Sequence, residues 1–212
     1  MDEPAVAHAP EHRLERLVFF SDAVIAIAIT LLVIEIHVPH LPHGASTGDF
    51  ANALLELLPN FIGFLISFFV IGAFWGAHHR AFAVAARWSE RLVLANLTFL
   101  CAIAAMPFFT AFLSANGASR FPVVVYCGWL LLTALLNIRL QRIVTSAPVV
   151  DPDASPVQTA TIRRRGYTVA LGAATAILVA AISPFPALGQ MALLSIPAWR
   201  LLLERRARQR GH

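Results

Sequence analysis

The residues with the clearest chemical potential lie at the start of the first long apolar run of the chain. Arg16, Ser21 and Asp22 lead into the apolar run of residues 23–36. An ionisable residue at the end of a membrane helix needs a partner, and it is a candidate for a functional site. Ser and Asp also cap helix N-termini well, where an acid complements the positive end of the helix dipole. The residues alone leave both interpretations open, a functional site and a helix cap.

The composition predicts an integral membrane protein. Of the 212 residues, 58% are hydrophobic and 13% are charged, whereas a soluble domain has about 45–50% apolar and about 25% charged residues. All 16 basic residues are Arg, and they fall in predicted loops and near the C-terminus. They do not form a basic patch with interleaved aromatic residues, so no nucleic-acid partner is predicted.

Six membrane-spanning helices are predicted from the apolar segments, because a span needs roughly 20 mostly apolar residues. These segments are residues 17–38, 50–77, 92–113, 121–140, 167–183 and 186–203. The fold class is therefore all-α, as a polytopic membrane protein. Residues 1–16 form a predicted cytoplasmic segment, 17–203 the membrane domain with a cytoplasmic loop at about 143–165, and 204–212 a basic cytoplasmic tail. Trp129 and Tyr126 are predicted to be interfacial aromatic residues.

The distribution of arginine predicts the orientation of these spans. With the spans above, fifteen of the 16 Arg residues fall on one side of the membrane, and Arg120 alone falls on the other. Cytoplasmic loops carry an excess of basic residues. We therefore expect a multi-pass protein of the plasma membrane with both termini in the cytoplasm. An all-Arg complement also suggests a bacterial source.

Four short stretches resemble the transmembrane protein 175 family of potassium channels. The first is Arg-x-x-x-Phe-Ser-Asp at residues 16–22, which includes Phe20. The others are Phe-Trp-Gly-Ala-His-His-Arg at 74–80, Asn-Leu-Thr-Phe-Leu at 96–100 and Met-Pro-Phe-Phe at 106–109. These stretches cover about the first half of the chain, in the order that the family has. From about residue 121 onward, the chain matches the family only in hydropathy.

This resemblance implies a potassium-permeable cation channel in which helix 1 lines a central pore of a homotetramer. In the family, a large aliphatic residue five positions after the motif Asp forms a constriction, which would be Ile27 here. A threonine three positions further on, here Thr30, is implicated in selectivity. Leu31 and Ile34 share the face of Ile27 at 100° per residue and would form further rings. Without the resemblance, the favoured interpretation of this stripe is an ordinary lipid-facing or bundle-core face, because every membrane helix has such a stripe.

The resemblance also implies a polar network that ties the motif to helices 2 and 3. A buried carboxylate needs hydrogen-bond donors, and Trp75, His78 and Asn96 are at the depth of Asp22 in the predicted topology. We expect Arg16 and Asp22 to act as scaffold and not as ion ligands. His78 and the adjacent His79 point about 100° apart, so no structural metal is predicted, and potassium would occupy the pore only transiently.

Two other classes of function stay open at this point, and one is disfavoured. A secondary transporter or a proton-conducting leak channel would also be a small helical membrane protein, although no ionisable residue lies at a predicted midplane as many transporters require. No Gly-x-Ser-x-Gly or His-Glu-x-x-His motif and no pair of mid-membrane acids is present, so neither an enzyme nor a catalytic residue is predicted. The expected partners are potassium and other monovalent cations, the lipid bilayer and further copies of the chain, with no cofactor.

Overall fold

Helices make up most of the structure, a computed structural model that describes residues 9–116 and 119–210. Across these residues no β-strand forms beyond an isolated bridge between Ala85 and Val150, so the predicted all-α class is confirmed. The predicted terminal segments 1–16 and 204–212 extend into residues 1–8 and 211–212, which lie outside the described residues. The helices in chain order are α1 (Ala9–Ile34), α2 (Thr47–Glu56), α3 (Leu58–Phe82), α4 (Glu90–Ala104), α5 (Met106–Ala115), α6 (Arg120–Val144), α7 (Pro156–Ile182), α8 (Ala187–Met191), a 3-10 helix (Ala192–Ser195) and α9 (Ile196–Arg210).

Proline residues explain where the helices begin. Pro59, Pro107, Pro156 and Pro197 each lie in the first turn of a helix, namely α3, α5, α7 and α9. In the first turn of a helix, a backbone N–H has no acceptor within the helix, so the N–H that proline lacks is not missed. The fixed φ of proline also suits the helix there. The predicted second span, residues 50–77, therefore contains a boundary between α2 and α3 next to Pro59. The predicted third span is also divided, because α4 ends before Pro107.

Five helical stretches of the described residues are long and apolar enough to cross a membrane. They are His12–Ile34, Leu58–Phe82, Glu90–Ala115, Arg120–Val144 and Pro156–Ile182. The predicted sixth span, residues 186–203, is not one continuous helix. It consists of α8, the 3-10 helix and the beginning of α9, which follow one another without a gap.

The connection between α6 and α7 is shorter and more ordered than the predicted loop at 143–165. Helix α6 continues to Val144 and α7 begins at Pro156, so the helices include much of that range. The main-chain oxygen of Val149 accepts hydrogen bonds from the N–H groups of Ala86 and Arg87, at 2.9 and 3.1 Å. The connection is therefore fixed to the loop between α3 and α4.

Helix α6 occupies the centre of the bundle, and α1 lies at its periphery. Helix α6 packs against α3, α4, α5, α7 and α8, whereas α1 packs against α3, α4 and α5. The central helix buries Tyr126, Leu130 and Leu140 completely or nearly so. One side of α1 is consequently left without a partner among the helices of residues 9–116 and 119–210.

Close packing of α8 on α7 predicts that Gly189→Ala destabilises the protein. A Cβ at Gly189 would lie 2.6 Å from Cβ of Ala180 and 3.0 Å from the main-chain oxygen of Ala176. Backbone at that distance cannot yield without moving α8, so we expect a loss of about 1–3 kcal/mol, which is typical of overpacking. The matched control is Gly128→Ala, where a Cβ meets nothing within 4 Å. Thermal unfolding followed by size-exclusion chromatography would measure both variants, and equal midpoints would contradict the packing argument.

Candidate functional site

Helix α1 has one buried face that fastens it to the rest of the chain. Ser21, Ile25, Ala28 and Leu32 recur at spacings of three and four residues and are almost completely buried. This spacing places them on one side of a helix, toward α3, α4 and α5. The polar member of the set, Ser21, is 0% exposed, so its hydroxyl needs partners inside the protein.

The aliphatic stripe of α1, which we define as Ile27, Leu31 and Ile34, is left exposed by the described part of the chain. Its members are 58%, 39% and 69% exposed, respectively. Thr30 is also exposed, and its hydroxyl donates to the main-chain oxygens of Ala26 (3.1 Å) and Ile27 (2.9 Å). The hydroxyl proton is thus used within the helix, while the oxygen keeps lone-pair capacity on the exposed side.

Three side chains from three helices form a chain of hydrogen bonds, which we call the polar anchor. The Ser21 hydroxyl on α1 donates to the main-chain oxygen of Leu17 (2.7 Å) and accepts from Nδ2 of Asn96 on α4 (2.8 Å). Oδ1 of Asn96 lies 2.9 Å from Nε2 of His78 on α3. The anchor therefore joins α1, α4 and α3 through buried groups only.

The direction of the polar anchor fixes the tautomer of His78. Because Nδ2 of Asn96 donates to Ser21, the amide oxygen is left as an acceptor, and Nε2 of His78 has to carry the hydrogen. His78 is 0% exposed and stacks between Phe82 and Phe99, with ring centroids at 4.3 and 6.1 Å. Its Nδ1 atom has no hydrogen-bond partner within the described residues. His78 consequently acts as a donor at the end of the anchor.

Asp22 has a separate partner. The indole Nε1 of Trp75 donates to Oδ1 of Asp22 at 2.9 Å. The expectation that the carboxylate also binds His78 and Asn96 is not met, because these two residues pair with each other and with Ser21. Consecutive residues of a helix point about 100° apart, so Ser21 and Asp22 reach different neighbours, α4 and α3.

Two residues of the predicted motif lie outside these contacts. Arg16 is exposed, and it makes no hydrogen bond or ion pair with any residue that the structure describes. Phe20 is 49% exposed. The structure thus brings together Ser21, Asp22 and their partners on α3 and α4, but not Arg16 and Phe20. No group of three or more His, Cys, Asp or Glu side chains within the described ranges could hold a metal ion.

A second buried polar cluster, which the sequence analysis missed, joins α3, α5 and α6. Thr110 donates to Ser67 (2.8 Å), and the Ser67 hydroxyl lies 3.0 Å from the hydroxyl of Tyr126. Tyr126 is therefore a core residue and not an interfacial one. Trp129, also predicted to be interfacial, donates from its indole to the main-chain oxygen of Ala102 (2.9 Å) in the last turn of α4. Small hydroxyl residues in the middle of apolar spans are a signal of such contacts.

The end of the bundle that contains the polar anchor is also the arginine-rich end. The anchor brings the middle of α1, the end of α3 and the first half of α4 together, and the hydrogen bonds of Val149 add the segment that follows α6. Glu204 of α9 joins the same end through Arg165 (3.1 Å) and Arg200 (3.2 Å). Hydrogen bonding to Arg200 holds the pKa of Glu204 below its ordinary value. At the opposite end, Arg120 donates to the main-chain oxygen of Ser183 (2.9 Å).

The polar anchor predicts that Asn96→Ala destabilises the protein strongly. The substitution leaves Nε2 of His78 without an acceptor and deprives Ser21 of its donor, and each buried group left unpaired costs about 1–3 kcal/mol. The control is Asn60→Ala, since Asn60 on α3 makes no side-chain hydrogen bond within the described chain. A thermal unfolding midpoint of the Asn96 variant equal to that of the control would contradict the role of the anchor.

Comparison with known proteins places this arrangement in a family. The family described as endosomal/lysosomal potassium channel TMEM175 matches residues 16–107, which contain the whole polar anchor. A potassium channel of Chamaesiphon minutus is 37% identical over 141 residues, covering 65% of this chain and 69% of the relative. A potassium channel of Streptomyces collinus is 38% identical over 115 residues, covering 52% of this chain and 54% of the relative. The chain thus spans between about half and two thirds of the length of these relatives.

An animal relative carries a different name, and a solved structure shares the fold. The endosomal/lysosomal proton channel TMEM175 of Gallus gallus is 35% identical over 98 residues, covering 44% of this chain and 20% of the relative. The crystal structure of a lysosomal potassium-selective channel TMEM175 homolog from Chamaesiphon minutus matches with a TM-score of 0.74 and 28% identity. It covers 92% of this chain and 98% of that chain. With its motif, its buried anchor and its helical architecture, the chain belongs to the TMEM175 family.

Proposed function

We propose that the protein is a potassium-permeable cation channel whose pore is lined by α1. The observation that carries this proposal is the uncovered aliphatic stripe on α1, opposite to a face that is firmly anchored to the bundle. Its family includes proteins named potassium channels. Ion channels are not an enzyme class, and the proposal includes no catalytic residue.

The stripe would act as an apolar constriction. If Ile27 of several subunits meets around an axis, a hydrated cation finds no polar group there to replace its water, and a narrow apolar ring excludes water and ions until it widens. Leu31 and Ile34 would form further rings along the same helix face. Thr30, with lone-pair capacity on its exposed oxygen, would contribute to selectivity next to the rings.

The polar anchor would keep this helix at a fixed position and rotation. Asp22 is occupied by the indole of Trp75, which favours a scaffold role over one as an ion ligand. Rotation of α1 by one residue would move Ser21 away from Asn96, so that the anchor and the orientation of the stripe depend on each other. A scaffold role for Arg16 and Phe20 stays a prediction.

The arginine-rich end of the bundle would face the cytoplasm. Positive charges are retained on that side of a membrane, and the end with the anchor contains the loops in which nearly all Arg residues lie. We propose a bacterial protein of the plasma membrane with both termini inside. Its partners would be potassium and other monovalent cations, the bilayer and three further copies of the chain.

Proton conduction is a second candidate, favoured by the name of the Gallus gallus relative. Planar-bilayer recording of the purified protein distinguishes the two. A reversal potential that follows the potassium gradient supports the potassium channel, whereas one that follows a pH gradient supports a proton channel. A flux that saturates and requires a counter-ion would instead support a transporter.

The proposed constriction predicts that Ile27→Ala raises the unitary current and weakens the discrimination between K⁺ and Na⁺. A smaller side chain widens the ring, and we expect a change of roughly twofold or more in both quantities. Ile27→Asn should raise the current for another reason, because an amide supplies a polar partner and wets the ring. Single-channel recording under a K⁺/Na⁺ gradient would measure both.

The control for these variants is Val33→Ala. Val33 is an exposed aliphatic residue of α1, but it lies about 120° from Ile27 around the helix. It should leave current and selectivity unchanged. If neither Ile27 variant altered conduction, the pore would have to be elsewhere than on the stripe.

The proposed pore also predicts the size of the particle, because one α1 cannot enclose a pore. Light scattering of the detergent-solubilised protein, corrected for bound detergent, should give about four times the chain mass of 23.0 kDa. Cysteine introduced at Ile27 should form crosslinks between subunits, while cysteine at Leu178 on α7, also exposed, should not. A monomer that conducts ions would refute this assembly.

A further inference from the structure

A large cavity lies between α4, α6 and α7 at the arginine-rich end, away from the stripe and the polar anchor. Its volume is about 840 Å³. The residues that matter for its chemistry are Ser89, Arg91, Leu135, Arg139, Arg142 and Tyr167. The proposed ion pathway uses none of them.

Three guanidinium groups line this cavity, and no described acidic side chain forms an ion pair with them. Arg139 and Arg142 lie three residues apart on one face of α6, and Arg91 extends from the first turn of α4. Within residues 9–116 and 119–210, none of the three forms an ion pair. Arg142 donates a hydrogen bond to the Tyr167 hydroxyl and lies 5.9 Å from the ring centroid. Glu90 is next to Arg91 in sequence but does not line the cavity.

The remainder of the cavity is apolar and continues toward the membrane interior. Ile138, Ala170 and Leu171 contribute to its wall, and Leu135 lies one turn deeper along α6 than Arg139. Leu135 is 52% exposed, so the apolar wall reaches the outer surface of the helix bundle. The cavity therefore has positive charge at the depth of Arg139 and an apolar opening one helical turn further along α6, at Leu135.

The loop side of the cavity is rigid. Ser146 lines it, and its hydroxyl donates to the main-chain oxygen of Arg142 (2.6 Å) and accepts from Nη2 of Arg163 (2.9 Å). Arg163 also donates to the Thr145 main-chain oxygen at 2.6 Å. A preformed site loses less free energy to ordering when it binds a ligand.

We propose that this cavity binds an anionic phospholipid of the cytoplasmic leaflet. The phosphodiester would interact with Arg91, Arg139 and Arg142, and an acyl chain would leave along Leu135. Charge complementarity and the apolar exit together fit a lipid, since basic pockets between membrane helices on this side suit anionic headgroups. The inference rests on the proposed membrane orientation and does not depend on ion conduction.

Native mass spectrometry of the full chain in detergent tests the proposal. The protein is titrated with dioleoyl phosphatidylglycerol and, separately, with dioleoyl phosphatidylcholine, which has the same acyl chains without net charge. We expect tighter binding of phosphatidylglycerol, and a loss of roughly tenfold or more in the double variant Arg139→Gln/Arg142→Gln, because each basic residue contributes substantially to anionic-lipid attraction. The matched control is Arg205→Gln/Arg206→Gln, which removes two exposed charges from α9.

Each other outcome has a defined meaning. Equal loss in both double variants, or equal binding of the two lipids, would overturn the proposal. Displacement of phosphatidylglycerol by millimolar inorganic phosphate would show a site for a soluble anion instead. A changed number of chains in the particle would assign the cavity to contacts between copies.

If the double variant does not fold, Arg91→Gln on α4 tests the same cavity and should also weaken the binding of phosphatidylglycerol. Arg139→Lys/Arg142→Lys, which keeps both positive charges, should retain that binding. Since no ion gradient is involved, failure of the channel proposal would not affect these results.

Discussion

Buried polar groups must satisfy one another, and this requirement determines the position of α1. The Ser21 hydroxyl, the Asn96 amide and the His78 imidazole lie in apolar surroundings, where an unpaired polar group is expensive. Their hydrogen bonds point in one direction and end on the main-chain oxygen of Leu17. Hydrogen bonds aligned in this way polarise one another. Moving any one of the three helices would leave the groups on the other two unpaired.

The consequence is a helix with two different faces. The buried face of α1, with Ala28 near its centre, is almost completely covered by other helices, while another face carries large aliphatic side chains that the described helices leave exposed. In a soluble protein, such an exposed stripe would indicate a partner. In this membrane protein, the anchor gives the stripe a defined orientation, which the proposed pore formed by several identical subunits would require.

The sequence predicted the components of the site better than their pairing. Successive spans cross the membrane in alternating directions. The start of the first predicted span, the end of the second and the start of the third therefore lie at one depth, and this predicted that Asp22, Trp75 and Asn96 are close together. Which donor meets Ser21 and which meets Asp22 depends on a rotation of about 100°, which only packing decides. For the same reason Tyr126 was predicted at an interface, although its hydroxyl lies in the core beside Ser67. Hydropathy predicted five of the six spans as membrane-length helices, but not the division of the sixth or the break before Pro107. A proline inside an apolar run is compatible with a kink as well as with a new helix.

The hydrogen bonds around Val149 fasten the connection between α6 and α7 to the loop between α3 and α4. Three main-chain amides of two different loops, those of Ala86, Arg87 and Asp151, donate to Val149 or Val84, and Val149 is 2% exposed. Amide protons in such hydrogen bonds are protected from exchange with solvent even though they do not belong to a helix. In kinetic terms, these amides belong to the same opening unit as the ends of α3 and α6. The segment would become accessible to a protease only when those helices separate.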